Sequence, residues 1–442
     1  MRALLPLLLL AACSSGDAPP DKGFGANPEL PAPDAQSIPV VRTVTVTGWA
    51  DGQAPTPAPG WRVTKFAAGL DYPRWLYQLP NGDVLVSEAR TAPSGDKGLS
   101  GKLQQRLFNG TRSQGPSANR ITLLRDKDGD GIAEERHTLL EGLKQPFGMA
   151  YRPGFAGDVV GAVPQPGVLY VANTDAVLAF AFTPGATRIT IPGTRIMALP
   201  AGGYNNHWTR NLLLSADGKT LFVSVGSASN IGEHGMAEEE GRAAIHALDL
   251  ATGRSRLFAS GLRNPVGMAL EPGGGQLWTA VNERDMLGDN LVPDYMTSVK
   301  NGGFYGWPWS YYGQVVDSRV EPARPDMVAK SLPKDYALGA HTASLGLAFA
   351  TPAMPAGWNS GAFIGQHGSW NRNAFAGYKV IFVPFANGKP AGPPRDVLTG
   401  FLKGGDSKEA FGRPAGVLVD AKGGLLVADD AGDTVWRVSA AP

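Results

Sequence analysis

A repeated pair of strands is the feature of this sequence that most constrains its fold. Each copy has a polar or Pro-containing lead-in, a strand of small residues, a turn that contains Gly and an apolar strand. The clearest copies are LLLSADGKTLFVSV from Leu212 and GMALEPGGGQLWTAV from Gly267. Further copies, some of them looser, begin at Tyr72, Gln145, Ser344 and Arg413. Such self-similarity indicates one supersecondary unit that recurs along the chain.

Six copies predict a β-propeller. They recur at intervals of roughly 55–80 residues, which leaves room for four short strands in each copy. With 58 Gly and 36 Pro among 442 residues, turns are frequent and long helices are disfavoured. We therefore predict an all-β, six-bladed β-propeller of four-stranded antiparallel blades around a central channel. Polar residues precede the first strand of several copies, so we expect them to share one rim of the ring.

The chain begins with a short export signal. MRALLPLLLLAAC contains one Arg, an apolar run and small residues before Cys13. The run is shorter than the about 20 apolar residues that cross a bilayer as a helix. The last four residues resemble the lipobox of bacterial lipoproteins, and an ordinary signal peptide that happens to contain Cys is the alternative. We expect a signal peptide at 1–12, lipidation of Cys13, and a protein of the bacterial cell envelope that faces the periplasm and touches the membrane only through its lipid.

The expected domain boundaries follow composition. Residues 13–37 are rich in Pro, Ala, Gly and Asp and predict a flexible tether, and residues 38–442 form the propeller domain. VVRTVTVTG from Val40 is expected to dock on the propeller or to close its last blade. The polar loop from Thr91 to Asn119 either borders the functional site or is merely mobile, and the second reading is slightly favoured.

Charge and cysteine content exclude some partners. The chain has 40 Lys and Arg residues against 39 Asp and Glu residues. Electrostatic binding of nucleic acid requires a basic excess or stripe, which is missing here, so no nucleic acid partner is expected. Cys13 is the only cysteine, so the folded domain contains no disulfide.

Polar residues at the blade entries are candidates for chemistry. His207, in NNHW directly before a strand, could accept a proton at neutral pH, although a lone His is more often structural. Arg263 and Asn264 open another copy, where the guanidinium could pair with a ligand carboxylate or with a neighbouring acidic residue. Gln145 could reach a ligand, although capping of backbone groups is the more frequent role for such a residue.

Two acidic segments could hold a metal ion. Asp126, Asp128 and Asp130, followed by Gly131, match the first half of a calcium loop, but the twelfth position is His137 instead of Glu. Glu134 or Glu135 could complete such a site, and a solvated hairpin is an equally favoured reading. The second segment, VNERDMLGDNLVPDY from Val281, suits a hard metal ion or a set of loop caps equally.

Together these motifs resemble the glucose/sorbosone dehydrogenase family. The resemblance rests on Gln145-Pro146, the strand start at His207, GLRNPVGM, VNERDMLGDN, GGFYGWP, HGSWNR and GRPAGVLVD, and it extends from Val63 to Ser439. Members are quinoproteins that use pyrroloquinoline quinone (PQQ) and calcium on a six-bladed propeller. The sequence is more similar to the sorbosone branch than to the glucose branch.

The resemblance implies a role for each matching residue. The cofactor carboxylates would be held by Arg372 and Arg413, while Arg263 and Asn264 would lie near the quinone carbonyls, with Gln145 close to the base. Main-chain oxygens of Asn282 and Glu283 would hold calcium as a Lewis acid. His207 would remove the proton of the substrate hydroxyl as hydride leaves for the quinone.

Two positions depart from the glucose enzymes. Those enzymes carry an Asp after the strand that follows the base, whereas this chain reads VGSASN with Ser227 and Asn230. Their PQQ-binding Lys has no clear counterpart, and Arg372 is the substitute.

The sequence thus predicts a PQQ- and calcium-dependent dehydrogenase that oxidises an aldose or sugar-derived aldehyde. It would pass electrons to a cytochrome or membrane quinone. A calcium-dependent lactonase or other hydrolase and a non-catalytic binding scaffold are the alternatives.

Overall fold

Six antiparallel sheets form the body of the protein. The structure, a computed structural model, describes residues 23–35, 40–92, 108–154, 159–160, 163–164, 167–404 and 407–441. Blade 1 contains Pro73–Gln78, Val84–Glu88, Arg120–Arg125 and Glu135–Leu140. Blade 2 contains Met149–Pro153, Gly167–Ala172, Ala176–Ala181 and Thr194–Ala198. Blade 3 contains Arg210–Leu214, Thr220–Val225, Ala244–Asp249 and Ser255–Ser260, and Gly303–Phe304 adds a parallel fifth strand.

The second half of the ring is built in the same way. Blade 4 contains Pro265–Leu270, Leu277–Val281, Pro293–Ser298 and Tyr336–Ala340. Blade 5 contains Ser344–Phe349, Gly361–Gln366, Lys379–Ala386 and Arg395–Thr399, with Thr56–Pro57 at its outer edge and Lys389–Pro390 beside its third strand. Blade 6 contains Pro414–Val419, Leu425–Asp429, Thr434–Ala440 and Trp61–Ala68. The innermost strand of each blade belongs to one of the six sequence repeats, so the predicted six-bladed propeller is confirmed.

The described residues outside the blades form only short elements. They include a single α-helical turn, Pro325–Val328, and a 3₁₀ turn, Asn109–Thr111. Two small antiparallel pairs join Ser310–Tyr311 to Val315–Val316 and Val159–Val160 to Val163–Pro164. Among the described residues, no helix is long and apolar enough to cross a membrane.

The ring closes by pairing the first blade strand with the last. Trp61–Ala68 lies antiparallel to Thr434–Ala440 as the outermost strand of blade 6. In the segment from Val40, only Thr45–Val46 forms a strand, and it pairs in parallel with Glu409–Ala410. The Val40 segment therefore docks on the propeller and leaves closure to the next stretch of chain.

Part of the predicted tether also lies on the propeller. Phe24–Gly25 adds a fifth strand to blade 4 by pairing with its outer strand. Leu30 packs on the apolar cluster of Leu287, Leu291 and Tyr311. Residues 1–22, with the predicted signal peptide and Cys13, lie outside the described residues.

Glycines allow neighbouring inner strands to approach closely around the axis. A Cβ on Gly346 of blade 5 would lie 2.4 Å from the carbonyl oxygen of Ala415 in blade 6. A Cβ on Gly416 would in turn meet the carbonyl oxygen of Arg74 in blade 1 at 2.7 Å. Gly within these inner strands is therefore required by the close spacing of neighbouring strands.

Candidate functional site

A cavity of about 580 Å³ opens at the end of the ring where the inner strands begin. Its walls come from residues just before the first strand and just after the second strand of several blades, which is the shared rim that the sequence predicts. Four apolar side chains pack together beneath it: Trp75, Phe147, Val266 and Leu345. Val266 and Leu345 form part of the cavity lining, so the floor is apolar while most of the walls are polar.

The blade 3 entry presents His207 to this cavity. Its Nδ1 lies 2.9 Å from the carbonyl oxygen of Ser227 and 3.0 Å from the Ser227 hydroxyl oxygen. A carbonyl oxygen can only accept, so Nδ1 carries the proton and Nε2 is left as the basic nitrogen. Burial and the nearby charge of Arg263 lower the pKa of His207 to about 3. The imidazole is therefore neutral at physiological pH.

Arg263, at the blade 4 entry, is the buried cation beside His207. Its guanidinium donates to the carbonyl oxygens of Asn282 at 3.3 Å and Glu283 at 2.5 Å. It also donates to Asn230 Oδ1 at 2.9 Å and forms a 3.3 Å ion pair with Asp285. Burial lowers the pKa of Arg263, and the carboxylate of Asp285 opposes this shift. These contacts fix the guanidinium plane at one position in the wall.

Asn264 lies next to Arg263 and carries an unused polar atom. Its side-chain Oδ1 is buried and has no hydrogen-bond partner in the part of the chain that the structure describes. Gly226 makes room for this amide, since a Cβ there would lie 2.4 Å from Asn264 Oδ1 and 2.6 Å from the Cβ of His207. An unsatisfied buried acceptor of this kind is expected where a ligand completes the hydrogen bonding.

Behind Arg263 lies a second ion pair that the sequence analysis missed. His341 Nδ1 is 3.1 Å from Asp285 Oδ1, and His341 Nε2 is 3.0 Å from the carbonyl oxygen of Gly288. Burial alone would lower the pKa of His341, but the Asp285 carboxylate raises it above the usual value. The same contacts lower the pKa of Asp285 against the effect of its burial. The only indication in the sequence was the isolated pair His341-Thr342, which follows the outer strand of blade 4.

Arg74 is a further charged side chain of the cavity lining, and it has an acidic partner of its own. Arg74 pairs with the buried carboxylate of Asp430, and His367 Nε2 lies 2.9 and 2.8 Å from the two oxygens of that carboxylate. The Arg74 guanidinium lies 5.7 Å from the ring centroid of Trp208, and its Nε is buried without a partner among the described residues. Both Arg74 and His367 line the cavity. The sequence contained Arg74 in a repeat lead-in, but nothing there indicated its acidic partner.

The structure brings together three of the residues predicted for the reaction. His207, Arg263 and Asn264 line one cavity, together with Asn282. Gln145 does not line it; its Nε2 donates to the carbonyl oxygen of Arg90 at 3.1 Å. In that position Gln145 holds backbone groups of blade 1.

The two arginines predicted to hold cofactor carboxylates lie elsewhere. Arg413 is buried and donates to the carbonyl oxygens of His367 at 3.0 Å and Gly368 at 2.9 Å, behind the cavity wall. Arg372 donates to Ala340 O at 3.3 Å and lines a separate space of about 340 Å³ beside the segment around Phe24.

The acidic loop predicted as a calcium half-site lies between the two outer strands of blade 1. Asp126, Asp128, Asp130 and Glu134 offer oxygen atoms within 4.8 Å of one another. Asp126 also accepts from the backbone N–H of Gly129 at 2.6 Å, and Asp128 accepts from the backbone N–H of Asp130 at 3.1 Å, as an Asx turn requires. Glu134 is one of the two residues that the sequence offered for the missing position.

Two segments outside the blades cover one side of the cavity mouth. Phe108, Ser113 and Gln114 contribute to the lining, so the described part of the loop from Thr91 to Asn119 borders the site, which is the first of the two alternatives for this loop. Val41 contributes from the docked N-terminal segment. The ring of Phe108 meets that of Trp370 edge-on at 5.6 Å. The mouth of the cavity therefore has an aromatic side beside its polar walls.

Comparison with a family model identifies the group to which this sequence is related. The TrAA12-like model matches residues 160–301 and 327–441, which is more than half of the chain. The chain belongs to the TrAA12-like family. The resemblance to PQQ-dependent sugar dehydrogenases is thereby confirmed at family level.

Curated relatives are similar over part of their length. An uncharacterised protein of Borreliella burgdorferi is 30% identical over 243 residues, covering 54% of this chain and 62% of that protein. A pyrroloquinoline quinone-dependent sugar dehydrogenase of Hypocrea jecorina is 25% identical over 284 residues, covering 58% of this chain and 57% of that protein. The chain thus spans about 60% of the length of these relatives.

Solved structures of the family share the fold. The holo PQQ domain of pyranose dehydrogenase from Coprinopsis cinerea has a TM-score of 0.67 at 19% identity, covering 90% of this chain and 100% of that one. A calcium structure of a Trichoderma reesei carbohydrate-active enzyme of family AA12 has a TM-score of 0.68 at 20% identity, covering 90% and 99%. Because the sequence identities are only 19% and 20%, the structural similarity establishes the propeller fold alone.

Proposed function

We propose that this protein is a PQQ-dependent dehydrogenase that oxidises an aldose or a sugar-derived aldehyde, with His207 as the general base. One observation carries the proposal: a neutral imidazole, with its basic nitrogen unprotonated, lies beside a buried guanidinium in one polar cavity. A base and a cation in this arrangement suit removal of a hydroxyl proton while negative charge develops next to it.

The lining of the cavity fits PQQ, a planar tricarboxylate. Its volume of about 580 Å³ lies within the range of small-molecule sites. Arg74 and Arg263 supply positive charge from two sides, and Arg413 adds charge from behind the wall. The unpartnered Asn264 Oδ1 and Arg74 Nε provide an acceptor and a donor that a ligand would satisfy. When bound, PQQ supplies a quinone that accepts a hydride.

The residues of this chain then have distinct tasks. His207 holds its Nε2 unprotonated toward the cavity and takes the proton of the sugar hydroxyl. Arg263, fixed by Asn282, Glu283 and Asp285, places a cation next to the base and stabilises developing negative charge. The apolar floor, with Val266 and Leu345, excludes water from one side of the site and strengthens these interactions.

Calcium does not fit the position that the resemblance assigned to it. The main-chain oxygens of Asn282 and Glu283 already accept from the Arg263 guanidinium, which occupies the place of a cation there. For calcium itself, the carboxylates of Asp126, Asp128, Asp130 and Glu134 form the more suitable donor set, because hard cations prefer oxygen ligands.

The substrate, the electron acceptor and the location of the protein are also part of the proposal. We propose an aldose or sorbosone-like aldehyde as substrate and a cytochrome or membrane quinone as electron acceptor. We also propose a lipid anchor at Cys13 that holds the protein at the periplasmic side of the cell envelope. The export motif in the first 13 residues supports the anchor, and the names of the family relatives support the substrate class.

The test begins with titration of the purified protein with PQQ, followed by dye reduction with a panel of aldoses and aldosones. We expect binding and sugar-dependent dye reduction. The His207→Ala variant should bind PQQ but turn over at least about 100-fold more slowly, which is the scale of a lost general base. His137→Ala, on the outer strand of blade 1, is the matched control.

Other outcomes would refute the proposal. Binding without turnover of any sugar would favour a scaffold, and a protein without PQQ affinity would be no quinoprotein.

The alternative function as a hydrolase has little support from the geometry of the cavity. The two carboxylates that line the cavity, Glu233 and Asp285, are both engaged, with backbone N–H groups and with Arg263 respectively.

A further inference from the structure

No carboxylate of the described residues contacts Nδ1 of His207, the proposed general base. The only groups within hydrogen-bond distance of His207 Nδ1 in the described chain belong to Ser227, through its carbonyl and hydroxyl oxygens. Charged groups that act on the imidazole are Arg263, Asp285 and Arg210. Of these, only Asp285 is acidic, and its side chain pairs with Arg263 and His341.

The Ser227 hydroxyl is oriented to accept from His207. Its own proton is donated to the carbonyl oxygen of Ser229 at 2.6 Å, which leaves lone pairs on Oγ for the Nδ1 proton. Ser227 is also fixed by its backbone N–H, which donates to the carbonyl oxygen of Arg263 at 2.7 Å. The residue is fully buried, so water does not compete for these contacts.

A buried carboxylate holds the turn that carries these acceptors. Glu239 accepts from the backbone N–H groups of Ala228 at 2.7 Å and Ser229 at 3.0 Å, and from the Ser229 hydroxyl at 2.5 Å. The backbone N–H of Asn206 donates to the carbonyl oxygen of Ala228 at 2.9 Å, which ties the turn to the strand entry that bears the base. The carboxylate thus acts on the histidine through a backbone turn.

We infer that Ser227 is the positioning residue for His207: neutral oxygens, held by Glu239 through the 227–229 turn, fix the imidazole as the Nδ1–H tautomer. This inference rests on the proposed function for its kinetic consequence. A carboxylate at this position would fix the same tautomer but would also favour the imidazolium. A neutral partner keeps the base unprotonated in mildly acidic solution, so activity should persist where a carboxylate-backed base would be protonated.

The first test needs no cofactor. Histidine ¹⁵N NMR of the apo protein, with the His207 signals assigned from the spectrum of His207→Gln, reports the tautomer and its protonation directly. We expect Nδ1 protonated and Nε2 bare from pH 8 down to pH 5. The Nε2–H tautomer, or an imidazolium at pH 5, would overturn the inference even if the protein proves not to be a dehydrogenase.

The second test compares three variants with the natural protein. Ser227→Asp should move the acid limb of the kcat/KM profile, and the His207 titration seen by NMR, to higher pH by at least about one unit. Ser227→Asn, of the same size but neutral, should leave both in place. Ser227→Ala retains the carbonyl acceptor and should lower kcat by about 2- to 10-fold, the range for one neutral hydrogen bond, with little change in KM.

These variants separate the two proposals. An active natural protein whose acid limb is unmoved in a folded Ser227→Asp variant would refute the role of Ser227 and leave the dehydrogenase reading intact. If Ser227→Asp does not fold, an unchanged kcat and an unchanged tautomer in Ser227→Ala would refute the hydroxyl contribution. Glu239→Gln provides the final check, since loosening of the turn should populate the Nε2–H tautomer.

Discussion

Asp430 is the acidic residue whose loss should be most costly to the fold of the site. Its carboxylate is fully buried between Arg74 and His367. Burial by itself would raise its pKa, but the two partners lower it from 3.8 to about 2. At about 1.4 kcal/mol per pKa unit, this difference corresponds to a stabilisation on the order of 2 kcal/mol at neutral pH.

The pH dependence of this contribution has a definite sign. Because the folded pKa lies below the unfolded value, the stabilisation is present above about pH 4 and is lost as the pH falls toward 2. About half of it should remain at pH 3. Asp430→Asn removes the charge and leaves the Arg74 guanidinium buried without a counter-charge. We therefore expect a loss of about 3–5 kcal/mol at pH 7, the usual cost of breaking a buried pair by removing one partner.

Urea unfolding at pH 7 and at pH 3 measures both the loss of stability in Asp430→Asn and its dependence on pH. The control is Asp396→Asn, which breaks the exposed pair with Lys379 and should cost less than about 1 kcal/mol. The double variant Arg74→Met/Asp430→Asn should recover part of the loss, because it removes the unpaired cation as well. An Asp430→Asn protein that unfolds at the same urea concentration as the control, or with a difference that does not shrink at pH 3, would refute this reasoning.

Three further predictions concern packing, metal and cofactor. Gly346→Ala should destabilise the protein by about 1–3 kcal/mol in urea unfolding, because the new Cβ meets the next blade, whereas Gly202→Ala in open space should be neutral. Added calcium should raise the thermal unfolding midpoint of the natural protein and leave that of Asp128→Asn unchanged; equal effects would exclude the 126–134 loop as the site. In PQQ titrations, Arg74→Met should weaken binding more than Arg372→Ala, because of these two residues only Arg74 lines the cavity. The reverse order would favour the role that the family resemblance gives to Arg372.

The sequence predicts the fold well because the propeller repeats a local pattern. Each inner strand and its lead-in are contiguous, so His207, Arg263 and Asn264 could be placed at one rim from strand order alone. For the segment from Val40, the sequence left docking and closure of the last blade as alternatives, and docking is the one observed. The Val40 segment resembles a strand, but Trp61–Ala68 pairs with the last strand over a longer and more regular register.

The parts of the site that were missed depend on contacts between distant residues. Arg74 and Asp430 are separated by 356 positions, and each is unremarkable within its own repeat. The contact between Asp285 and His341 likewise joins two segments of the chain whose spacing follows no motif. Arg372 lies in a motif that resembles the family, but its guanidinium is held by Ala340 O and Asn290 Oδ1, which the motif does not contain.

Closure of the ring joins two strands that are far apart in the chain. The strand 61–68 has no partner in its own blade until residues 434–440 have been synthesised, so an edge of the sheet stays open until then. Pairing of segments so far apart is also slow, because the loop must be closed before the contacts form. A chain without residues 434–440 would carry every residue of the site and still lack the strand that joins the outer strand of blade 6 to the rest of that blade. Completion of the ring therefore waits until residues 434–440 have been synthesised.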